Sequence, residues 1–353
     1  MSVKSKSKIG YALGGGAARG LSHIGVLKVF EEHGIFPNII TGTSMGALIG
    51  ALYAGGIKVG DIERLAVRLG LGRLALLADM TLPFSGLIGG RRVTSLLKSI
   101  LGDLTFSQLK YDFACVATDI NTGEQVVLRE GSLVEAVRAS ISLPGIFAPI
   151  RIKGRYLMDG GLVNEVPVSV CREMGAGYVI GVNVIPGPSR MMHRSKKSRI
   201  TYINKSSKLG EIEDEIKLTM PSSIRSLPLV SNVQSLHLLS RFDDIENAVS
   251  RFLLRSQPKL QKEMLKPLEW AQRANPKRLK PKTPSIIDVL SQTLIIAEYR
   301  VAMENLKHAD LVINPDVEDI GFWQFHKAAQ AIAVGEEAAR LTIQQNKPMI
   351  SSS

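Results

Sequence analysis

Cysteine is scarce in this 353-residue chain: Cys115 and Cys171 are its only two. Both lie in apolar stretches with no C-x-x-C spacing and no flanking histidine, which argues against a disulfide-stapled fold or a thiolate metal site. They read as core residues in a reducing compartment. Long apolar runs are missing too. The longest candidate, Ala47 to Ala54, falls well short of the ~18 residues that a membrane span needs, so any bilayer contact is expected to be peripheral. Aromatic residues make up only 5% of the chain, and the basic stretches carry few of them and no recognised motif, so nucleic-acid binding is not expected. The basic start, MSVKSKSK, is followed by an apolar stretch that Gly14 to Gly16 and then Arg19 interrupt. That pattern disfavours secretion and points to a cytoplasmic protein.

What is present is an ordinary globular balance, 45% apolar against 22% charged, with a formal charge of +12. The surface should attract anions, whether phospholipid head groups, nucleic acid or acidic metabolites. The length suits one large α/β domain carrying an insertion.

Short β-like runs alternate with helical ones: Ile9 to Leu13, Leu21 to Glu32, Asn38 to Thr43, Met45 to Ala54. This is the alternation of a layered α/β fold. Leu21, Ile24, Leu27 and Phe30 mark one helical face, and Gly34 is placed to end that helix. Phe113 to Thr118 reads as a buried strand, and Asn121-Thr122-Gly123 as a turn leading to Gln125 to Arg129, so the sheet is expected to be mixed. A helix around Val168 to Met174 closing at Gly175 precedes a strand at Tyr178 to Val184. From Arg190 to Lys208 there are seven Lys or Arg and no acid. Prolines 258, 267, 276, 281 and 284 then break up the helical patterns. Residues 190–284 therefore read as a basic, helical insertion or lid between a core at 8–189 and a return at 285–346. In that return, Ile286 to Leu306 and Trp323 to Gln344 are expected as helices around a strand at Ala309 to Asn314. Phe325, Ile332 and Leu341 are the apolar residues available for burial on the last helix.

Three segments carry chemistry. In GTSMG, Ser44 stands between Gly42 and Gly46, after a β-like run and before a helix. A strand-to-helix turn sharp enough to project a serine crowds two backbones, and glycines two residues either side relieve the clash. The helix starting at Met45 would aim unpaired N–H groups at a developing oxyanion. A tight turn opening a core helix satisfies the same string. In LGGGAARG, Leu13 to Gly20, a glycine loop between strand and helix can present several N–H donors to an anion. It is not a complete dinucleotide fingerprint, because Arg19 stands where the third glycine belongs, and the P-loop Lys-Ser/Thr is absent. In MDGG, Asp159 sits in a turn after a strand, with Gly160 and Gly161 behind it, where a carboxylate can be held facing a serine. Serine usually relies on histidine as base, and His193, His237, His308 and His326 follow Ser44 in hydrolase order, so residue chemistry alone leaves a histidine triad open. A lone histidine such as His23, on a half-buried helix, reads as structural.

Together these segments resemble the bacterial patatin-like phospholipase family: a glycine-rich loop with Arg, a G-x-S-x-G elbow and a D-G-G turn, in that order. RASISLPGIFAPI (Arg138 to Ile150) and DGGLVNEVPV (Asp159 to Val168) extend the resemblance, which resumes in ADLVINPD (Ala309 to Asp316). It covers Lys8 to Pro186 and the last sixty or so residues. The resemblance implies a three-layer α/β fold with a mixed, largely parallel sheet. It implies a serine acyl hydrolase of phospholipase A or lysophospholipase type that uses a Ser44–Asp159 dyad without histidine. Gly14, Gly15, Gly16 and Ala17 match the oxyanion loop, with Ala17 where many members carry a fourth glycine. Arg19 matches the loop arginine, read as attracting anions or anchoring the loop. Arg138 and Asn164 fall in family-like segments where structural hydrogen bonding and substrate contact are both open. A dyad of this kind needs Asp159 to be a stronger base than its reference pKa of about 3.9 allows, through desolvation, or else strong oxyanion stabilisation. No cofactor and no metal are implied. The expected partners are phospholipid or other acyl esters, with peripheral contact to an anionic membrane, where each nearby Lys or Arg contributes about 1 kcal/mol. The rival reading is a regulatory protein using the same fold as an interaction module.

Overall fold

The computed structural model describes residues 7–70, 90–187 and 286–346. The proposed basic insertion 190–284, with His193 and His237, lies outside the described residues.

Five strands run parallel at the centre. β1 (Ile9–Leu13) lies between β2 (Ile39–Thr43) and β7 (Tyr178–Val182), β2 pairs with β3 (Asp112–Asp119), and β7 pairs with β8 (Leu311–Ile313). Strands covered on both faces read as continuous apolar runs, and every residue of β2 is buried. Alternate side chains divide between two helical layers, as the two-residue strand period requires. Tyr11, Leu13, Ile40, Ile180 and Val182 join the core beneath α1 (Ser22–Glu32), α2 (Met45–Ala54) and α8 (Ala328–Gln345). Ala12, Ile39 and Val179 face the other way, against α6 (Val168–Glu173) and α7 (Ile286–Leu306). The result is a three-layer α/β sandwich. α2 is apolar on every side because it is enclosed on every side, with all but two of its residues buried. α3 (Val59–Gly70), α4 (Arg91–Leu101) and α5 (Leu133–Ser140) complete its surroundings.

The mixed part of the sheet explains the site. β4 (Gln125–Leu128) runs antiparallel along Cys115–Thr118 of β3. β2 pairs with Asp112–Val116 of β3, and β6 (Arg155–Asp159) runs antiparallel along Ala117–Asp119. β4 already occupies one side of β3, so β2 and β6 share the other side and meet end to end. β5 (Ile150–Ile152) flanks β6 through a two-residue turn in which Lys153 and Gly154 both have positive φ, the geometry of a tight hairpin.

The final helix starts later than the alanine-rich pattern suggests, at Ala328, after a 3-10 turn at Phe325–Lys327. Ile332 is buried as expected, but Leu341 is 50% exposed. The buried stripe is instead Ala328, Ala331, Ile332, Gly335, Ala339 and Ile343. The reason is backbone proximity. A side chain at Gly335 would collide with the Ser22 carbonyl of α1, and one at Gly25 with the Ile332 carbonyl of α8.

Candidate active site

β2 ends at Thr43, opposite Val116, and β6 ends at Asp159, opposite the next residue, Ala117. Ser44 and Asp159 therefore face each other across the junction of two strands that arrive from opposite directions. Register produces this meeting, and no local sequence signal encodes it.

Ser44 holds a strained backbone, φ 50° and ψ −117°. A non-glycine residue at positive φ costs on the order of 1–3 kcal/mol and persists only where the surroundings enforce it. Here they do. A side chain at Gly42 would lie 2.5 Å from the Gly46 carbonyl, and one at Gly46 would strike the Leu13 carbonyl. The Ser44 N–H donates to Ser140 Oγ at 3.0 Å, and that hydroxyl donates to the Val116 carbonyl at 2.7 Å. Thr43 Oγ1 donates to the Asn164 carbonyl at 2.7 Å.

Asp159 is held as tightly. Its N–H donates to the Ser142 carbonyl at 2.9 Å, its carbonyl accepts from Thr118 Oγ1 at 2.8 Å, and its Oδ1 accepts from the Gly161 N–H at 2.9 Å. Gly160 is needed because a side chain there would hit the Val116 carbonyl. Burial pushes the Asp159 carboxyl up to about 6, with the Ser44 hydroxyl and the Gly161 N–H opposing the shift. Oδ2 is buried and makes no bond of hydrogen-bond geometry. The serine hydroxyl is thus near enough to act on the carboxyl electrostatically, yet the bond between them is not closed.

The glycine loop follows β1. Gly14 N–H donates to the Val182 carbonyl at 3.0 Å and Gly15 N–H to the Glu165 carbonyl at 3.2 Å. Among the described residues, the N–H groups of Gly16 and Ala17 have no acceptor. Both residues have positive φ, 132° and 49°. Ala17 thus takes up a backbone that favours glycine, at a cost of about 1–2 kcal/mol. The return segment clamps this loop: Ala18 N–H donates to the Phe322 carbonyl at 3.1 Å, and Arg19 Nε donates to the Ile320 carbonyl at 2.8 Å. His23 clamps it from α1, its Nε2–H donating to the Gly14 carbonyl at 2.7 Å. Burial lowers its pKa to about 4, so the ring is neutral.

His308 and His326 are exposed. No hydrogen bond links any described histidine to Ser44 or Asp159. Asn164 turns its amide away from the dyad, Nδ2 donating to Gln125 Oε1 and to Ser169 Oγ. Arg138 is buried, donates to Ser142 Oγ and the Ala148 carbonyl, and stacks on Phe147 at 5.2 Å. It orders the loop that holds Asp159. Ser140 and Ser142 stand in the family-like segment RASISLPGIFAPI and Thr118 in none, and no sequence signal shows what these hydroxyls hold, since isolated hydroxyls in apolar segments are common and the residues they serve lie far along the chain.

Ser44 opens onto a cavity of about 180 Å³ whose other lining residues are all apolar, among them Leu48, Leu65, Leu97, Leu143, Phe147 and Trp323. Among the described residues, no group of three or more His, Cys, Asp or Glu is arranged to hold a metal ion, and no helix is long and apolar enough to cross a membrane.

A mixed, largely parallel sheet with a strained serine at one strand end, a carboxylate at another and a glycine loop between defines a class of domain, and the comparisons agree with it. Residues 11–172 match the patatin-like phospholipase family model, so this part of the chain is similar to that family's domain. It is 33% identical over 189 residues to an uncharacterised NTE family protein of Mycobacterium tuberculosis, covering 53% of this chain and 52% of that protein. It is 39% identical over 187 residues to a patatin-like phospholipase domain-containing protein of Caenorhabditis elegans (52% of this chain, 14% of that protein). With lysophospholipase NTE1 of Eremothecium gossypii it shares 35% identity over 186 residues (52% and 12%). The chain therefore spans about half or less of the length of these relatives. Among solved structures, VipD from Legionella pneumophila aligns with a TM-score of 0.35 at 13% identity, over 99% of this chain and 92% of that one.

Proposed function

We propose that the protein is a serine acyl hydrolase of lipid acyl esters, of phospholipase A or lysophospholipase type, working through Ser44 and Asp159. The observation that carries this reading is the strained Ser44 at the mouth of an apolar cavity, beside a buried carboxyl with an unpartnered oxygen. Ser44 Oγ attacks the acyl carbonyl as its proton passes to Asp159 Oδ2. The tetrahedral oxyanion is met by the N–H groups of Gly16 and Ala17, which are fixed in advance and have no other acceptor among the described residues. Collapse expels the alcohol, which takes the proton from Asp159, and leaves an acyl ester on Ser44. Water then attacks that ester, giving its proton to Asp159, and the fatty acid departs as Ser44 is reprotonated. A carboxyl raised to about 6 is ionised at neutral pH yet far better matched to this proton transfer than an ordinary aspartate. The apolar cavity takes the acyl chain. The net charge of +12 favours approach to an anionic bilayer.

Release of fatty acid from phospholipid vesicles, lysophospholipids and short nitrophenyl esters, compared across wild type, Ser44→Ala and Asp159→Asn, tests the reading. Turnover by wild type and loss in both variants is expected. Activity that survives Ser44→Ala, or none in wild type on any substrate, refutes it, and partner capture unaffected by Ser44→Ala would favour an interaction module.

A further inference from the structure

The steps above leave unused a group of buried ionisable side chains behind Asp159. Glu165 follows the D-G-G turn, Glu298 projects from α7, and Arg19 follows the glycine loop. Like Asp159, each is at least nine-tenths buried. The three carboxyls converge on Gly161. The point where a side chain would start there is 2.5 Å from Glu165 Oε2, 3.2 Å from Glu298 Oε1 and 3.4 Å from Asp159 Oδ1. On its other side the Glu165 carboxyl abuts Gly15, whose side chain would start 2.6 Å from Oε1. One carboxyl group is therefore wedged between the glycine loop and the Asp159 turn, and a side chain at 15 or 161 would force it to move. Among the described residues its Oε1 and the Nη1 of Arg19 have no hydrogen-bond partner, and the group is not arranged as a metal site.

Three ionised carboxyls against one guanidinium would bury two uncompensated charges, each costing several kcal/mol. The cluster is electroneutral when Arg19 is balanced by one carboxylate and the other two carboxyls carry protons. Asp159 is the best place for that charge, since it alone has both the Gly161 N–H and the Ser44 hydroxyl directed at it. We propose that Glu165, as an uncharged carboxylic acid paired with Glu298, is a positioning residue that joins the glycine loop to the Asp159 turn and leaves the cluster's single negative charge on Asp159. The inference rests on the hydrolase reading and adds to it the source of the base's charge.

The titratable groups acting on Glu165 are Asp159 at the end of β6 and Glu298 on α7, and Arg19 acts in turn on Glu298. Burial pushes Glu165 well above the carboxylate range, with Glu298 and Asp159 adding to the shift and the Gly15 N–H opposing it. Burial and Asp159 likewise push Glu298 up to about 8, against the pull of Arg19. Below about pH 8 Glu298 keeps its proton. Above it Glu298 ionises and places a second negative charge beside the base and behind the loop that must receive an oxyanion.

The test is the rate at which a fluorophosphonate captures Ser44 between pH 5 and pH 10, which needs no correct lipid. The serine oxygen bonds to phosphorus, fluoride leaves, and the serine proton goes to Asp159. Wild type should gain rate as pH rises through about 6 and lose it above about 8. Glu298→Gln should remove the alkaline loss and keep the acid limb. Glu165→Gln, which keeps the shape of the neutral acid, should stay within ~3-fold of wild type at pH 7, whereas Glu165→Ala should fall ~10-fold or more as the wedge is lost. An alkaline loss that persists in Glu298→Gln and in the double glutamine variant, or Glu165→Gln impaired as much as Glu165→Ala, overturns the inference while leaving the hydrolase reading intact. A wild type captured at no pH overturns both. If Glu165→Ala does not fold, the pH profiles of the glutamine variants decide.

Discussion

The two faces of the sheet both bury apolar side chains, and they differ in the polar groups gathered among them. Beneath α1 to α5 and α8 the interior is apolar, with aromatic pairs such as Tyr11–Phe30 and Phe106–Phe113, and it opens into the cavity below Ser44. Towards α7 it holds Asp159, Glu165 and Glu298 with Arg19 beside them. A lipid ester needs both environments at one point, a dry slot for the chain and a proton acceptor of tuned basicity for the serine. The junction of β2 with β6 is where the two regions touch. The apolar face can be filled by many side chains of suitable volume, whereas the polar one depends on particular protons and particular glycines.

The largest effect should come from breaking the polar side at its centre. Asp159→Asn keeps the shape and removes the base, and hydrolysis should fall roughly 10,000-fold or more. In wild type, kcat/KM should decline as pH drops through about 6, where the carboxylate takes up a proton. The same substitution should stabilise the fold. The folded carboxyl titrates near 6 against 3.8 for an ordinary aspartate, so keeping it ionised at neutral pH costs about 3 kcal/mol. Urea unfolding at pH 7 should show Asp159→Asn as the more stable protein and the less active one. A loss of both would mean that the carboxylate is structural.

His23 allows the comparison to be sharpened by acid. Its pKa is lowered from 6.5 to about 4, so the unfolded chain binds a proton that the folded chain refuses. Stability from this residue is complete above pH 6.5 and is lost as pH falls towards 4, by about 3 kcal/mol. Asp159 has the opposite slope over 3.8 to 6, gaining stability as it protonates. Asp159→Asn should therefore steepen acid destabilisation, and His23→Gln should flatten or reverse it, when unfolding free energy is followed from pH 7 to pH 4. Parallel pH profiles in the two variants would contradict the assignment of these charges.

On the apolar side the tightest point is the crossing of α1 and α8. Gly335→Ala drives a methyl into the Ser22 carbonyl, and overpacking of that kind costs about 1–3 kcal/mol. The loss should appear as a lower urea midpoint with an unchanged slope. Because α1 carries His23 and His23 holds the Gly14 carbonyl, activity at 25 °C should fall in step with the folded fraction. A drop well beyond that would mean that the loop itself had shifted.

The parts of this arrangement that could be read from the chain are those whose reason is local. The elbow needs Gly42 and Gly46 within two residues of Ser44, and the central strands advertise themselves as unbroken apolar runs, so β1, β2 and the hairpin after β3 stand close to their expected bounds. Leu341 is exposed where the apolar pattern predicts burial, because an alanine-rich helix shows its buried side by smallness, and Gly335 carries more information there than any leucine. Ser140, Ser142 and Glu165 stand in segments that carry the family resemblance, but nothing in those segments shows what they hold, and Thr118 and Glu298 carry no signal. Glu298 meets Asp159 from 139 positions away in the chain, and a glutamate on an otherwise ordinary helix reads as a solvated face until the fold turns it inward.

The smallest expected effect is also the most selective. Leu65 of α3 lines the cavity some way along the chain from the elbow, so Leu65→Trp should shorten the slot without touching Ser44, Asp159 or the glycine loop. Hydrolysis of a butyrate ester should stay near wild type, while that of a long-chain ester falls ~10-fold, the 1–3 kcal/mol typical of a few methylenes refused by an apolar pocket. The measurement is the ratio of kcat/KM for the two chain lengths, which cancels any common loss of folded protein. A ratio unchanged by the tryptophan would move the acyl chain out of this cavity and detach the apolar face from the chemistry at its edge.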